Sequence, residues 1–314
     1  MTLNLTALGA DFVVQVSDRR LTRVTSSGSI HVDDDDANKA VVLSCSDSLL
    51  AMTFTGLGRL HATRVDEWLL NVLQEEALCE LEADIGVEKF SQLATDWFRS
   101  FRSSWSGPHT FIFAGFQKKS NSNQSRSRLW FVTNSASVGY SSFAASSVNK
   151  TRMYVTGWLP AFPRAERRRV QAACRKAENI EQIEAALVDG IRNAASRADG
   201  GPIGKSCMSV SLAPPRAAVS RFHPHGEHPH NFAPHVVWYE AGRNFAVNGI
   251  DHLPAGQYSL VFGGDACALV VRPGRGIGPP PSQESLAKFG FRFTDAKYHS
   301  EPVTETSIVK IVAD

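Results

Sequence analysis

Hydrophobic and polar positions alternate near the start of the chain with the two-residue period of a β-strand. The apolar positions 3, 5 and 7 precede a turn-forming segment and a second apolar run at 12–16. This pattern predicts a β-hairpin over residues 2–16. Two further strands are predicted at 39–44 and 49–54, on either side of a short polar turn.

A helical period follows the segment Thr55-Gly56-Leu57-Gly58. Val65, Leu69 and Leu73 recur at intervals of four residues, which places them on one face of an amphipathic helix. Similar apolar spacing predicts a second helix over 87–102 and two more within 164–197. The other segments before residue 214 are predicted to be short strands at 110–114, 129–132, 153–157 and 207–212, and polar loops at 25–36 and 118–127.

The order of these elements decides the fold class. Four strands are followed by two helices, three short strands, two helices and a further strand, which indicates a layered α+β architecture. A doubly wound sheet would instead need strands and helices that alternate regularly.

The composition changes near residue 214, where the sequence becomes rich in proline and histidine. We therefore expect a first domain over residues 1–213 and a β-rich extension over 214–314. The extension is predicted to contain strands at 236–239, 258–262 and 268–271 and a Gly/Pro linker at 273–281.

Composition narrows the functional classes. The chain has 314 residues, a hydrophobic fraction of 43% and a formal net charge of +2. It can bury a sizeable core, and it gives no general electrostatic reason to bind nucleic acid or an acidic membrane. No run approaches the roughly 20 apolar residues of a membrane span, and the amino terminus lacks a secretion signal. Five cysteines without paired spacing suit free thiols, so we expect a cytoplasmic location, and we expect no cofactor.

Thr2 is the first residue that carries specific chemistry. A small residue at this position normally permits removal of Met1, which would leave an amino-terminal threonine at the start of a strand. Such a residue combines a hydroxyl nucleophile with an α-amine whose pKa of about 8 suits it to act as the base. Many cytoplasmic proteins begin in this way, so a catalytic role needs support from neighbouring motifs.

Three motifs follow Thr2. Asp18-Arg19-Arg20-Leu21-Thr22 comes after the second strand, Asn38-Lys39 begins the third, and Thr55-Gly56-Leu57-Gly58 ends the fourth. Taken singly, the first also fits a charged turn, and Lys39 also fits a surface position at a strand start. Together the motifs resemble the proteasome-type amino-terminal nucleophile (Ntn) hydrolases, including proteasome β-subunits and their bacterial homologues, with the family's 16-residue spacing from threonine to aspartate. The resemblance covers about residues 2–212 and implies a four-layer αββα sandwich.

The resemblance implies a catalytic role for four residues. Thr2 would be the nucleophile, and the ammonium group of Lys39 beside it would lower the pKa of the threonine amine and hydroxyl. Asp18 would pair with Lys39 and hold it in place. The backbone N–H of Gly56 would donate to the developing oxyanion.

The resemblance extends to four less specific positions. Arg20 and Thr22 fall where the family orders the turn and contacts the substrate backbone. Thr156, in Val155-Thr156-Gly157, stands where the family has the serine of a Gly-Ser-Gly turn. In Ser196–Gly201 the serine and aspartate are exchanged relative to the family's Asp-x-x-Ser-Gly-Gly segment.

The function implied is that of a threonine amidohydrolase or peptidase. Its substrate would be a peptide or a small amide, and the protein would form a homo-oligomer, for which a ring is one arrangement. The alternative is a non-catalytic proteasome-like scaffold or ring-forming subunit, which would keep the architecture without the chemistry.

Four other motifs are given ordinary structural interpretations. The His-rich segment 223–235 fits a surface loop better than a metal site, although zinc or nickel capture stays open as a weaker alternative. The acidic run Asp33–Asp36 lacks the spacing of a calcium loop and fits a solvated turn. Residues 199–206 nearly match a phosphate-binding loop in the wrong structural context, and the basic start of the helix at 164–169 fits a solvated face.

Overall fold

The structure is a computed structural model. It describes residues 2–24, 30–35, 37–60, 63–76, 78–99, 108–118, 125–135, 139–146, 150–198, 201–213, 216–226, 230–231, 234–240, 243–247, 253–254, 261–262, 266–271, 297–301 and 307–312.

Strands and helices alternate in blocks along the first 213 residues. The strands are β1 (Leu3–Leu8), β2 (Val13–Asp18), β3 (Leu21–Val24), β4 (Ile30–Asp34), β5 (Val41–Ser44), β6 (Ser48–Thr55), β7 (Arg59–Leu60), β8 (Thr63–Arg64), β9 (Thr110–Lys118), β10 (Ser125–Thr133), β11 (Ser141–Ser146), β12 (Arg152–Gly157) and β13 (Cys207–Ala213). The helices are α1 (Val65–Glu75), α2 (Ala83–Arg99), α3 (Arg164–Lys176) and α4 (Ile180–Arg197). Single 3-10 turns lie at Leu78–Glu80 and Leu159–Ala161.

The part of the chain after residue 213 contributes further strands. They are β14 (Arg216–His223), β15 (His230–Asn231), β16 (His235–Glu240), β17 (Arg243–Val247), β18 (Leu253–Pro254), β19 (Val261–Phe262), β20 (Ala266–Val271), β21 (Lys297–Glu301) and β22 (Ser307–Val312). β14 pairs with β13 and β16 pairs with β5, so these two strands extend sheets that the preceding residues form. The domain boundary at 213/214 stays a prediction.

The first sheet has the strand order β12-β1-β2-β13-β14-β19, and its pairs are antiparallel. α4 packs on β1, β2 and β13, and α3 packs on α4. Their shared apolar core includes Leu5, Val16, Val170, Leu187 and Ile191. Burial of this apolar face stabilises the helix pair against the sheet.

The second sheet has the order β11-β10-β9-β6-β5-β16-β17, in which only the β5–β16 pair is parallel. α1 and α2 pack against this sheet around an aromatic core. In that core the rings of Phe90 and Phe111 lie edge to face with their centroids 4.8 Å apart, and Trp68 stacks on Trp97 at 4.2 Å.

The two sheets contact each other through β1, β2 and β13 on one side and β6, β9 and β10 on the other. Hydrophobic and polar positions alternate along β1 and β2, but all twelve positions are buried, so neither face of these strands is exposed to solvent. Apolar residues such as Leu5 and Val16 join the helix-facing core, whereas the side-chain amide of Gln15 reaches the backbone carbonyl of Ile112 in the second sheet. The predicted α+β class is confirmed at this level, and the two sheets are largely antiparallel.

Most predicted elements agree with the structure to within a few residues. The amino-terminal hairpin is confirmed as β1 and β2, and the predicted helix at 87–102 is α2 at Ala83–Arg99, with 100–102 outside the described residues. The loop prediction for 25–36 is wrong at 30–34, where β4 pairs with β3 across an irregular register. The predicted linker at 273–281 also lies outside the described residues.

No helix in the described ranges combines the length and the apolar character that crossing a bilayer requires.

Gly157 fixes the backbone next to Thr2. Its φ is 105°, and a Cβ atom built on it would overlap the carbonyl oxygen of Thr2. The same oxygen accepts a hydrogen bond of 2.9 Å from the backbone N–H of Trp158. This position therefore needs glycine both for its left-handed conformation and for the close approach of two backbones.

We expect Gly157→Ala to lower the free energy of unfolding by about 3 kcal/mol or more, because backbone strain and overlap with Thr2 add together. Gly226 is a matched control, since its φ is 81° and nothing lies within 4 Å of a Cβ atom built there. Gly226→Ala should cost only about 1 kcal/mol. Urea unfolding of both variants checks this, and equal losses would contradict the steric argument.

Candidate active site

The hairpin β1–β2 brings Thr2 and Asp18 to the same end of the first sheet. Thr2 directly precedes β1, Asp18 ends β2, and the pairing of Asn4 with Ser17 sets their register. Lys39 approaches from the segment that leads into β5 of the second sheet. The exposed fractions of Thr2, Asp18 and Lys39 are 1%, 0% and 1%. Three polar side chains are thus buried together between the sheets.

The ammonium nitrogen of Lys39 is surrounded by three oxygen acceptors. Its Nζ lies 2.7 Å from Oγ1 of Thr2 and 3.3 Å from Oδ1 of Asp18. It also donates to the backbone carbonyl of Arg20. An ammonium group has three N–H donors, so each donor has an acceptor.

Asp18 is held by backbone donors as well as by Lys39. Its Oδ2 accepts from the N–H of Leu3 at 2.7 Å, and its Oδ1 accepts from the N–H groups of Arg20 at 2.9 Å and Gly204 at 3.3 Å. These bonds compensate for the removal of a carboxylate from water. They also fix the carboxylate between the start of β1 and the segment before β13.

Burial lowers the pKa of Lys39 below its ordinary value, while the negative charge of Asp18 acts in the opposite direction. A lysine with a lowered pKa releases its proton more readily than a surface lysine does. Because Nζ contacts the Thr2 hydroxyl directly, the pair can stabilise negative charge on Oγ1 or exchange a proton with it.

Gly56 directly follows β6 and packs closely against His109. Gly56 has a φ of 113°, and a Cβ atom on it would lie 2.7 Å from the carbonyl oxygen of Pro108 and 2.8 Å from the ring of His109. Burial lowers the pKa of His109 to about 3, while a hydrogen bond to the backbone of Leu57 acts in the opposite direction. His109 is therefore neutral at physiological pH and packs directly beneath the turn.

The other predicted site residues differ in their hydrogen-bond partners. Thr156 pairs with Asn4 in the β1–β12 ladder, and its buried Oγ1 has no hydrogen-bond partner among the described residues. The guanidinium group of Arg20 donates to Asp35 and, at 2.7 Å, to the carbonyl of Gly201. Thr22 is buried, and its carbonyl accepts from the N–H of Gly58 at 3.3 Å.

The structure thus brings Thr2, Asp18 and Lys39 into direct contact. In the described ranges, no hydrogen bond joins Gly56, Thr22 or Thr156 to the side chains of these three residues. Arg20 contacts the site through its backbone N–H and its backbone carbonyl.

Two residues beside the site were not singled out from the sequence. Arg19 is 1% exposed, its guanidinium lies 5.2 Å from the ring centroid of Phe222, and its positive charge contributes to the lowered pKa of Lys39. Cys207 pairs with Asp18 in the β2–β13 ladder, and burial raises the pKa of its thiol. The sequence signal for Arg19 was only its place between two charged residues, which fits a surface turn equally well.

The acidic run of β4 makes structural contacts. Asp33 pairs with Arg59 at 2.8 Å and Asp34 with Arg64 at 2.9 Å. The expected solvated acidic turn is instead part of an ion-pair network, and Asp36 lies outside the described residues.

Two further motifs are described only in part or lie away from the site. Gly204, from the segment that nearly matches a phosphate-binding loop, donates to Asp18, whereas residues 199–200 lie outside the described ranges. At the basic start of α3, Arg164 and Arg168 are exposed, as predicted for a solvated face.

The His-rich segment is also described in part. Nε2 of His223 donates to the buried carboxylate of Glu184 at 2.8 Å. Residues 227–229 are outside the described ranges. In the part of the chain that the structure describes, no group of three or more His, Cys, Asp or Glu side chains is placed to hold a metal ion.

Comparisons with known proteins give structural likeness at low identity. No protein-family model matches the chain, and no curated protein matches it. A mutant of Anbu from Hyphomicrobium sp. strain MC1 is 15% identical with a TM-score of 0.47, over 68% of this chain and 82% of that chain. Anbu (ancestral beta-subunit) from Yersinia bercovieri is 12% identical with a TM-score of 0.46, over 68% and 82% of the two chains. A helical assembly of the Anbu complex from Pseudomonas aeruginosa is 13% identical with a TM-score of 0.44, over 68% and 81%.

These comparisons correct the family assignment made from the sequence. The assignment to the proteasome-type Ntn hydrolases, close to proteasome β-subunits and their bacterial homologues, is wrong, because the similar solved structures reported above are Anbu proteins. The three sequence motifs involve few residues and leave most of the chain unconstrained. The chemistry that the site supports therefore depends on its own geometry.

The contacts of Asp18 and Lys39 predict that substitution of the aspartate lowers stability more than substitution of the lysine. Asp18→Asn leaves a buried ammonium without its carboxylate, and we expect it to lower the free energy of unfolding by about 3–5 kcal/mol. Lys39→Met leaves Asp18 with three backbone N–H donors, so a smaller loss of about 1–3 kcal/mol is expected. The double variant should lose less stability than the sum of the two single losses, because it leaves no unpaired charge.

Urea unfolding of the three variants measures these losses. Asp96→Asn is the control, since Asp96 belongs to an exposed pair with Arg99 at 3.7 Å and should change stability by no more than about 0.5 kcal/mol. A Lys39→Met variant less stable than Asp18→Asn would contradict the proposed arrangement of donors.

Proposed function

We propose that the chain is a threonine amidohydrolase in which Thr2 is the nucleophile once Met1 has been removed. The observation that carries the proposal is the 2.7 Å contact between Nζ of Lys39 and Oγ1 of Thr2, with Lys39 held by Asp18. A hydroxyl beside a buried lysine of lowered pKa is a typical activated nucleophile. The substrate is an amide, and a peptide is the first class to test.

The α-amine of Thr2 supplies the base in this mechanism. Cleavage of the Met1–Thr2 peptide bond converts a non-basic amide nitrogen into an amine. The amine accepts the hydroxyl proton as Oγ1 attacks the substrate carbonyl carbon, and it then protonates the leaving nitrogen as the C–N bond breaks. Water hydrolyses the resulting ester and restores the threonine. Lys39 stabilises the negative charge that develops on Oγ1.

The remaining predicted residues have supporting roles in this proposal. The backbone N–H of Gly56 donates to the substrate oxyanion, and the neutral His109 beneath it fixes the turn. Thr156 offers a buried hydroxyl one ladder position from the Leu3–Gly157 pair. Arg20 and Thr22 shape the edge that receives the substrate backbone. The contacts between the sheets and their helix pairs support assignment as a four-layer αββα sandwich.

A non-catalytic scaffold is the competing function, and one observation favours it. Thr2 is only 1% exposed, so a substrate reaches its hydroxyl only if the site opens. The two functions differ in what they require of Thr2. A scaffold needs its side chain for packing, whereas a hydrolase needs its hydroxyl and its free amine.

The test uses the untagged protein and a peptide epoxyketone, which closes on both the hydroxyl and the amine of an amino-terminal threonine. We expect an intact mass that lacks Met1 and a stoichiometric adduct that peptide mapping places on Thr2. Thr2→Ser should still react. Thr2→Ala also permits Met1 removal but lacks the hydroxyl, so its labelling rate should fall by about a thousandfold or more.

Retention of Met1 in protein from the native host would overturn the mechanism and favour the scaffold. Labelling of Thr2→Ala at the rate of the unsubstituted protein would do the same. Thermal unfolding of each variant shows whether a loss of labelling reflects a loss of folding. Thr2→Ser is the matched control, because it keeps the hydroxyl and the amine at the same backbone position.

A further inference from the structure

Two cysteine thiols lie in contact in the core of the second sheet. Cys45 directly follows β5, and Cys79 lies in the 3-10 turn between α1 and α2. In the described part of the chain neither cysteine is in a disulfide, both belong to the aromatic core, and their exposed fractions are 8% and 1%. A side-chain hydrogen bond joins the two thiols, although they come from distant parts of the chain.

Backbone contacts hold the two cysteine-bearing segments together. The N–H of Ser46, next to Cys45, donates to the carbonyl of Leu81 at 3.3 Å. Oδ1 of Asp47 accepts from the N–H of Ala83 at the start of α2, at 2.7 Å. The turn between β5 and β6 is therefore fixed against the connection between α1 and α2. These contacts keep the two cysteine-bearing segments adjacent in the fold.

A polar cleft lies beside the turn that follows Cys45. The cleft has a volume of about 410 Å³, and its lining includes Ser46, Asp47 and Glu82. The first two are the residues that directly follow Cys45 in the chain. Hydrogen peroxide can enter a cleft of this size, whose lining includes the residue that follows Cys45 but not Cys45 itself.

We propose that Cys45 and Cys79 form a site of reversible oxidation by hydroperoxides, in which an intramolecular disulfide replaces the contact between the two thiols. The sulfur of Cys45 attacks one oxygen of hydrogen peroxide, the O–O bond breaks, and a sulfenic acid and water are formed. The sulfur of Cys79 then attacks the sulfenic sulfur, the S–O bond breaks, and the second water leaves. The two thiols together lose two electrons and two protons, and the peroxide is reduced to two waters.

The surroundings of the two thiols set the order of these steps. The hydrogen bond with Cys45 and burial raise the pKa of Cys79, so this thiol stays protonated and reacts slowly with peroxide by itself. Cys45 is the more exposed of the two, and the residue that follows it lines the cleft. Cys207 offers a contrast, because it is fully buried and its thiol donates to the backbone carbonyl of Lys205 at 3.5 Å.

Peptide mapping of the folded full chain after treatment with hydrogen peroxide tests the proposal. Free thiols are alkylated under denaturing conditions before digestion without reductant. Cleavage by trypsin after Lys39, Arg59, Arg64 and Lys89 places the two cysteines in separate peptides. We expect these peptides to be recovered as one disulfide-linked species, which dithiothreitol separates, while Cys207 is recovered in its alkylated form.

Single substitutions separate the two steps. Cys45→Ser removes one sulfur of the disulfide, and it should leave no sulfenic acid on Cys79, because Cys45 is the thiol that peroxide oxidises first. Cys79→Ser also removes one sulfur but should leave a sulfenic acid on Cys45, which dimedone captures. Cys207→Ser is the matched control, since it also removes one buried thiol and should leave the linked species unchanged.

The disulfide should also change the stability of the protein. It closes a loop of roughly 34 residues and so restricts the unfolded chain. We expect the midpoint of urea unfolding to rise by about 1 M after oxidation. Dithiothreitol should remove this increase, and the Cys79→Ser variant should not show it.

Three results would overturn the proposal. The first is the recovery of both thiols in alkylated form after peroxide treatment of the folded protein. The second is a linked species that forms only once urea has unfolded the chain. The third is dimedone capture on Cys79 in Cys45→Ser with none on Cys45 in Cys79→Ser. Neither cysteine contacts the side chains of Thr2, Asp18 or Lys39 among the hydrogen bonds of the described residues. The outcome is therefore independent of the proposed hydrolase function.

Discussion

The structure around Thr2 depends on the pairing of one lysine and one aspartate that have been removed from water. Moving either charge into the protein alone would cost several kcal/mol, and the attraction between them offsets this only when their other hydrogen-bonding groups also have partners. Lys39 has three acceptors and Asp18 has four donors, three of them backbone N–H groups. The pair therefore ties together the starts of β1 and β5, the end of β2 and the segment before β13.

This arrangement explains why the surroundings of the site tolerate little change. The hydroxyl of Thr2 is one of the acceptors of Lys39, so its position follows from that of the buried pair. The carbonyl of Thr2 is fixed from the other side by Trp158, where only a glycine at 157 leaves room for it. Such preorganisation suits a nucleophile that must not move during the reaction.

The sequence allowed prediction of much of the fold and of the central trio. The two-residue period near the amino terminus predicted the hairpin, and the hairpin alone brings Thr2 and Asp18 together. Lys39 could be added only through its place in a motif, since it comes from the other sheet. β4 was missed because its acidic residues suggested a turn, and their arginine partners in β7 and β8 lie farther along the chain. The role of His109 is likewise a product of tertiary packing, which lowers its pKa without any local signal.

The most direct test of this account is the pKa of Lys39 in the folded protein, measured by NMR of its labelled side chain and assigned with Lys39→Met. The account predicts a value below the ordinary lysine pKa of about 10.4, because burial penalises the charged form. Asp18→Asn should lower this pKa further, since the carboxylate is the group that stabilises the ammonium. An ordinary pKa that Asp18→Asn leaves unchanged would show that Lys39 is neither buried nor paired, and would contradict the account.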